Sequence, residues 1–496
     1  MNIVGVPYGV APARLVFKKH HKKALSNAST DIANSAELIL RWVSGSPFQG
    51  AAGSGQSDLD VAKGLHAKHV LEHHWDSWIT SSDFEWLAAR GINTGGSHIV
   101  SCRLKQIGYY HICALDPSIL TRTDFDGLQH VFEGAWSRLV AAVVTAQSFG
   151  IGVLFDLHAA PGKQNKDSHS GTSSPVISFF NSRFNMQLAI RTLRILVTQL
   201  IALRAHGPVF DNIAIQEIRK IDSGFPIYIS DCWMTDQYAD FVAHLPSSLA
   251  LTCIDYHLYR CFTSSDISTS AAQHTASLVD RNDPFSQMFS RVSEKLAASG
   301  SGLIVGEWSG ALNPGSLQGT TDEHQERASY IRAQLDLFEL YCAGSFFWTY
   351  KKEWPGDQGW SFRDAVENGI FPEVVGMIPV KDHVGLSADI NARKVTARNV
   401  ALGQHVSYWA RFPSYYEHWR FEAGFDQGWV VAYDFFTFDR AGQVAVSELG
   451  FKGCIAKRKA QDHIREYGRS NNIWEFEHGF SQGVDVAKHD FQHHYC

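Results

Sequence analysis

An α/β fold on a parallel sheet, and within that class a TIM (β/α)8 barrel, is the architecture this sequence predicts. Three observations carry the prediction. Between residues 37 and 385, short apolar runs of strand length alternate with longer stretches of helical periodicity, the pattern of strands joined by crossover helices. Residues with chemical potential recur at the C-terminal ends of those runs, where a barrel gathers its functional groups. No Gly-rich phosphate loop follows the first run, which disfavours an open doubly wound sheet.

The clearest strands are expected at Gly152–Asp156, Pro226–Ser230, Leu251–Asp255, Leu303–Gly306 and Ser345–Trp348. They bring Asp156 and His158, Asp231, Asp255 and His257, Glu307, and Trp348 to strand ends. Residues 1–36 lack periodicity and read as a divergent leader. After residue 385 the texture changes: Tyr415–Glu422 and Trp474–Phe480 are dense in aromatic and acidic residues. No Gly, Ser or Pro linker precedes this part, so residues 386–496 read as an extension docked on the barrel. The last residues, His489–Cys496, collect metal-ligand types, but at a fraying terminus they are expected to be a solvated tail.

Composition removes several function classes. Among 496 residues, 45% hydrophobic and 19% charged describe an ordinary globular protein, and a net charge of −6 argues against a nucleic-acid surface. No apolar run is expected to approach the roughly 20 residues of a membrane span. Gly and Pro interrupt Val4–Val10, so no secretory core is read there, and the basic cluster Lys18–Lys23 reads as solvated; a cytoplasmic location is the expectation. The eight cysteines are scattered without CxxC spacing, and Cys253, Cys261 and Cys342 border strands, so buried thiols are expected rather than a disulfide framework. No Gly-x-Ser-x-Gly, HExxH or Walker motif is present, no cofactor or metal is called for, and the oligomeric state is left open. The 14 Trp would suit sugar platforms, although any single Trp more often fills a core.

The chemistry centres on Gly306-Glu307-Trp308-Ser309, which sets a carboxylate where an apolar strand is expected to end. A glycosidase needs such a group as nucleophile and normally a second carboxyl as proton donor. Asp156–Asn165 runs from a strand into a Pro-Gly turn rich in polar donors, so His158 and Asn165 suit binding of sugar hydroxyls, against the plainer reading of His158 as a structural histidine. His257 and Tyr259, two apart on a strand, share one face; one would line the site beside the nucleophile and the other hydrogen-bond it. Trp348 ends another strand, placed to stack under a glucose ring.

Together, Asp156–Asn165, Asp255–Tyr259, Gly306–Ser309 and Phe346–Lys351 resemble glycoside hydrolase family 5, the fungal exo-β-1,3-glucanase group. Glu72–Thr80 and Ala89–Thr94 fit it too, and Tyr416–Glu422 with Ser447–Phe451 resemble its extended, non-secreted branch. The resemblance spans about residues 41–490. It implies retaining hydrolysis of β-glucans or glucosides, Glu307 as nucleophile, His158, His257 and Tyr259 in the active site, and Trp348 as sugar platform.

Three departures stand out. The family's opening Gly-Val-Asn-Leu-Gly strand has no counterpart before Arg41-Trp42. Gly95–Gln106 separates Ile92-Asn93-Thr94 from Ile107-Gly108-Tyr109, leaving Arg103 as an out-of-register candidate for the family's site arginine. The Asn-Glu-Pro motif that carries the acid/base is missing. Its place falls between His206 and Pro226, where about 20 residues must do the work of a strand-helix-strand unit that normally takes about 30. Asn212–Gln216 is expected to open the lost strand, with Glu217–Lys220 as the end of the next helix and Glu217 a solvated glutamate. A barrel incomplete around strands 1 and 4, with turnover impaired, is the resulting expectation. The rival is a β-glucan-binding protein without catalysis.

Overall fold

The computed structural model describes residues 57–92, 106–203, 212–223, 225–246, 249, 252–373, 387–436 and 456–495. The leader, Arg103 and Ser447–Phe451 lie outside them. Two parallel sheets appear among the described residues. One pairs β1 (Gln106–Gly108) with β2 (Asp156–Ala159); the other runs in the order β3 (Ile227–Ser230), β4 (Thr252–Arg260), β5 (Leu303–Leu312), β6 (Gly344–Phe347). Helices α1 (Ser81–Ala88), α2 (Ala135–Ser148), α3 (Arg183–Leu203), α4 (Asn212–Ile221), α5 (Thr235–Ala243), α6 (Pro284–Ser299) and α7 (Glu323–Tyr341) stand between or before the strands.

The α/β class with parallel pairing is as expected, but a closed eight-stranded barrel is not what these residues form. The places where strands 1 and 4 would close it fall largely outside the described residues, and the part that is described is helical. Asn212–Gln216, expected as a strand, is the first half of α4, because Ala214, Ile215 and Ile218 are buried at helical spacing. Glu217 on α4 pairs with Arg194 and Lys220, the surface role expected of it. Strand β2 starts at Asp156 instead of ending there, with a single bridge at Leu154 before it.

Helix α3 also corrects an expectation, since it has the length and composition of a membrane span. Its Leu193, Leu196, Val197 and Leu200 lie in the main core, while Arg191 and Arg194 pair with Asp116 and Glu217.

Leu154, Tyr228, Cys253, Ile304 and Phe346, one from the run into β2 and one from each of β3 to β6, form a separate apolar cluster. Their neighbours Leu303, Val305, Ile227, Ile229 and Ile254 belong instead to the main core with the helices. The strands therefore have an inner and an outer face, and the inner faces of both sheets meet in one apolar layer. Side-chain caps fix the surrounding helices: Asp283 accepts from the Phe285 amide with Pro284 in the first turn, Gly300 ends α6 at positive φ, and Asp322 caps α7. Cys253 and Cys261 are buried thiols, with no disulfide among the described residues.

Residues beyond 386 form α8 (Ser387–Trp409), α9 (His418–Phe436), α10 (Ala456–Tyr467) and α11 (Ile473–Tyr495) around a core of their own that includes Phe421, Phe425, Trp429, Phe476, Phe480 and Phe491. Lys488 of α11 pairs with Glu339 of α7 at 2.6 Å. The expected fraying tail is instead helix to Tyr495: Phe491 is buried, and Asp490 holds Arg393 at 2.9 Å.

This unit is internally duplicated. Trp419–Phe436 and Trp474–Phe491, aligned 55 residues apart, agree at ten of eighteen positions, enough to superpose their packing. A Cβ on Gly424 or Gly428 would strike the backbone of Phe476 or Phe480, and one on Gly479 or Gly483 that of Phe421 or Phe425. Those reciprocal contacts make α9 and α11 a parallel pair in backbone-to-backbone contact about a local two-fold, which only glycine allows. The preceding helices follow suit: His405 stacks on Phe421 at 4.2 Å and His463 on Phe476 at 4.5 Å between ring centres.

Candidate active site

Strand β4 presents Cys253, Asp255, His257 and Tyr259 on one face by simple alternation. Cys253 sits in the apolar inner layer, so the three polar residues rise from it along the same face. Glu307 reaches that face by a different route. Strict alternation from Leu303 and Val305 would turn it toward the helices. Between Tyr256↔Val305 and His257↔Glu307, however, the register of β5 gains one residue at Gly306. This bulge turns the Glu307 carboxylate inward. It also requires glycine, because a Cβ on Gly306 would collide with the Asp255 carboxylate. Glu307 thus lies inside a ten-residue strand, whereas the sequence placed it at the end of a short one. Trp308 behind it is buried against Phe338 and Phe347 and anchors the strand.

The two sheets meet at this carboxylate. Tyr259 donates its hydroxyl to Glu307 Oε2 at 2.8 Å, and His257 Nδ1 stands 3.4 Å from the same oxygen, with its Nε2 3.5 Å from Asp255. From the other sheet, His158 Nδ1 lies 2.9 Å from Asp156, and one ligating atom each of Asp156, His158 and Glu307 falls within 4.8 Å of the others. An Asp-x-His pair on each sheet therefore faces one glutamate. The 2.9 Å separation is that of a charge-assisted hydrogen bond.

Beyond Asp156 and Asp255, the buried Asp231 accepts from Thr235 Oγ1 at 2.5 Å and from the Trp233 amide at 3.0 Å. Burial raises its pKa, and the Asp255 charge adds to the rise. The turn it braces holds Cys232 and Trp233 at positive φ and leaves the Trp233 indole 76% exposed.

The loop after β2 is pinned from below. Buried Lys163 donates to the carbonyls of Thr172 and Ser174, and desolvation lowers its pKa. Gln164 takes the Ala160 amide and donates to the His158 carbonyl. Asn165 commits its side-chain oxygen to the Asp167 amide and the Ser170 hydroxyl, and its amide nitrogen approaches His169 at 3.4 Å. His169, which the sequence reading passed over, sits 5.0 Å from the His158 ring. Desolvation first, then the neighbouring His158, lower its pKa.

Trp348 packs with Tyr259 and Phe262 against Cys261, Ala311 and Trp360, an aromatic cluster that reaches Glu307 through the Tyr259 hydroxyl. Phe262, three residues on, and the distant Trp360 were also missed; both rings lie 5.5 Å from that of Tyr259.

A domain model described as the glucan 1,3-beta-glucosidase 3 C-terminal domain matches residues 390–491, the duplicated helical unit. The chain is 28% identical over 454 residues to an uncharacterized glycosyl hydrolase of Saccharomyces cerevisiae, covering 86% of this chain and 81% of that one. It is 24% identical over 465 residues to glucan 1,3-beta-glucosidase 3 of Schizosaccharomyces pombe, covering 89% and 90%. Probable glucan 1,3-beta-glucosidase A of Aspergillus fumigatus is 25% identical over 391 residues, 68% of this chain and 85% of that one. Among solved structures, rutinosidase from Aspergillus niger aligns at a TM-score of 0.47 with 15% identity, over 66% of this chain and 92% of that one. The sequence relatives support a glycosidase.

Proposed function

We propose that this chain is a β-glucan-directed glycosidase of the exo-1,3-β-glucosidase kind, working by retention with Glu307 as nucleophile. The observation that carries the reading is the bulge at Gly306, which delivers Glu307 to the inner face under Tyr259 and His257 and opposite His158. The two sheets are read as arcs of one (β/α)8 barrel, strands 2–3 and 5–8, with the inner apolar layer as its floor. Trp348, Phe262 and Trp360 line the sugar's apolar side, and His158 its hydroxyls.

In the first step a Glu307 oxygen bonds to the anomeric carbon as the C–O bond to the leaving group breaks, and the departing oxygen keeps the electron pair. Tyr259 and His257 hold the carboxylate in line. Protonation of the leaving oxygen would fall to an acid set about 5–5.5 Å from the nucleophile. Asp156, Asp231 and Asp255 are buried behind histidines, amides and hydroxyls, which supports a centre with its nucleophile in place and its proton donor impaired. The same observation favours, as second reading, a glucan-binding protein without turnover.

An activated aryl β-glucoside and laminarin, each with and without azide, separate these. Aryl cleavage that azide accelerates, with β-glucosyl azide as product, should vanish in Glu307→Gln, and laminarin should stay intact. General acid assistance is typically about 10²–10⁴-fold, so efficient laminarin cleavage would mean that another residue supplies the proton. No aryl cleavage at all would leave the binding protein.

A further inference from the structure

The duplicated unit closes its two hairpins at the same end, and the two closures differ. Between α10 and α11 the chain turns in five polar residues, Gly468-Arg469-Ser470-Asn471-Asn472. Between α8 and α9 it takes eight, Ala410–Glu417, carrying Phe412, Tyr415 and Tyr416 after Tyr408 and Trp409. Since five polar residues suffice to close one copy, the aromatic excess of the other is not needed to hold the bundle.

These rings are displayed, not packed away. Tyr408 and Phe412 are each 49% exposed and Tyr415 75%, gathered around half-buried Trp409, which contacts Tyr408, Phe412, Tyr416 and Trp474 at 4.7–5.8 Å between ring centres. The connection is rigid. Asn472 donates to the Tyr415 carbonyl at 3.1 Å, and the Tyr416 hydroxyl to the Phe412 carbonyl at 2.8 Å. The fully buried Glu475 takes the Glu417 amide at 2.7 Å on one oxygen, with His418 Nδ1 at 2.7 Å and His405 Nε2 at 2.9 Å on the other. His418 lies parallel to Tyr416, 28% of its side chain open, with its Nδ1 committed to Glu475 and its Nε2 without a hydrogen-bond partner among the described residues.

We propose that this tip is a second, non-catalytic carbohydrate site that holds a β-glucan chain on Tyr408, Phe412 and Tyr415, with His418 as hydrogen-bond partner. The ligand class rests on the reading of the Glu307 site. The chemistry fits it: preorganised aromatic faces match the C–H faces of sugar rings, and tyrosine hydroxyls and an oriented imidazole match their hydroxyls. A lipid surface would call instead for a dense basic rim with no acids, whereas here Arg411 stacks on Tyr408 at 4.5 Å and Arg420 is neutralised by Glu417.

The test uses the full chain carrying Glu307→Gln, so that polymer is not consumed, sedimented with an insoluble linear β-1,3-glucan. Adding Phe412→Ser and Tyr415→Ser should weaken retention by about 10-fold or more, the scale of losing two aromatic contacts. Tyr415→Ser alone, at the most exposed position, guards against a folding defect, and should give a partial loss with unchanged near-ultraviolet circular dichroism. Retention equal with and without the tip substitutions would place binding at the barrel and overturn the proposal. So would absence of retention, or a tip variant that loses only vesicle binding or self-association. Azide-accelerated aryl cleavage scores the Glu307 reading independently of these outcomes.

Discussion

Glycine does opposite work in the two regions of this molecule. In the α/β region Gly306 makes room for a carboxylate: the missing side chain lets β5 bulge past Asp255 and turn Glu307 toward the inner face. In the helical unit Gly424, Gly428, Gly479 and Gly483 make room for backbone, and α9 and α11 close on each other with no polar space between. Substitution at the first kind of position should therefore damage chemistry more than stability, and at the second kind stability alone. The contrast extends to buried carboxylates. Asp156 and Asp255 each stand beside a histidine that faces Glu307, while Glu475 braces the backbone of a turn.

The largest effect is expected where backbone meets backbone. Gly479→Val sets branched atoms against the Phe421 carbonyl, which sits on a helix that has nowhere to move. A loss of about 3 kcal/mol is expected, at the upper end of overpacking costs, read as a fall in the thermal midpoint of the tryptophan-rich helical unit. Gly403→Ala on α8 is the counterpart. Nothing lies within 4 Å of the new Cβ, so relief of glycine's entropy should add about 0.5–1 kcal/mol. Equal effects at the two positions would mean that backbone contact does not set the cost of a side chain in these helices.

Much of the α/β region was legible in the sequence because its strands are short apolar runs: β3 and β6 fall within a residue or two of expectation. The failures have physical causes. Strand β5 overruns Glu307 because Trp308, Ala311 and Leu312 are buried too, and the bulge that re-aims Glu307 leaves no mark beyond Gly306 itself. Asn212–Gln216 was expected as a strand from the family pattern, although Ile215, Ile218 and Ile221 already stand at helical intervals. His257 and Tyr259 share a face by strand spacing alone, whereas Glu307 stood out only as a carboxylate closing an apolar run, and the bulge, not the spacing, brings it to them. His169, Phe262 and Trp360 were missed, because loop packing brings them in. The duplication was readable throughout, as Phe-Glu-x-Gly-Phe-x-Gln-Gly occurs at 421 and again at 476.

An intermediate effect is expected at Gly306→Ala. The new methyl must displace the Asp255 carboxylate or flatten the bulge, and either shift moves Glu307 relative to Tyr259 and His158. Turnover of the activated glucoside should fall by about 10²-fold, the scale of a displacement near 1 Å at a reacting group. The folded state should survive, with overpacking of about 1–3 kcal/mol against a large core. Unchanged turnover would show that the bulge does not position Glu307 for the proposed reaction.

The smallest effect concerns how the α/β region is tied together beside the site, and it depends on pH. Asp83 on α1 is buried, and burial alone would raise its pKa. The Lys351 ammonium at 2.9 Å, the Thr80 amide at 2.8 Å and the Tyr350 hydroxyl at 2.8 Å instead hold it below the ordinary carboxylate value. This contact links the Glu72–Thr80 segment to the end of β6, and Lys351 also lies over Trp78 at 5.3 Å. Because the folded-state pKa is depressed, the stabilisation is fully present above the unfolded value of about 3.9 and is lost as pH falls through the lower folded value. Asp83→Asn should therefore lower the thermal midpoint at pH 6, and the gap from the parent should narrow as pH drops below about 4. The helical unit's core has no such dependence on Asp83, so its melting, followed separately, should keep the same offset between the two proteins at both pH values. A gap that stayed constant into acid would mean that Asp83 contributes through packing and not through its charge.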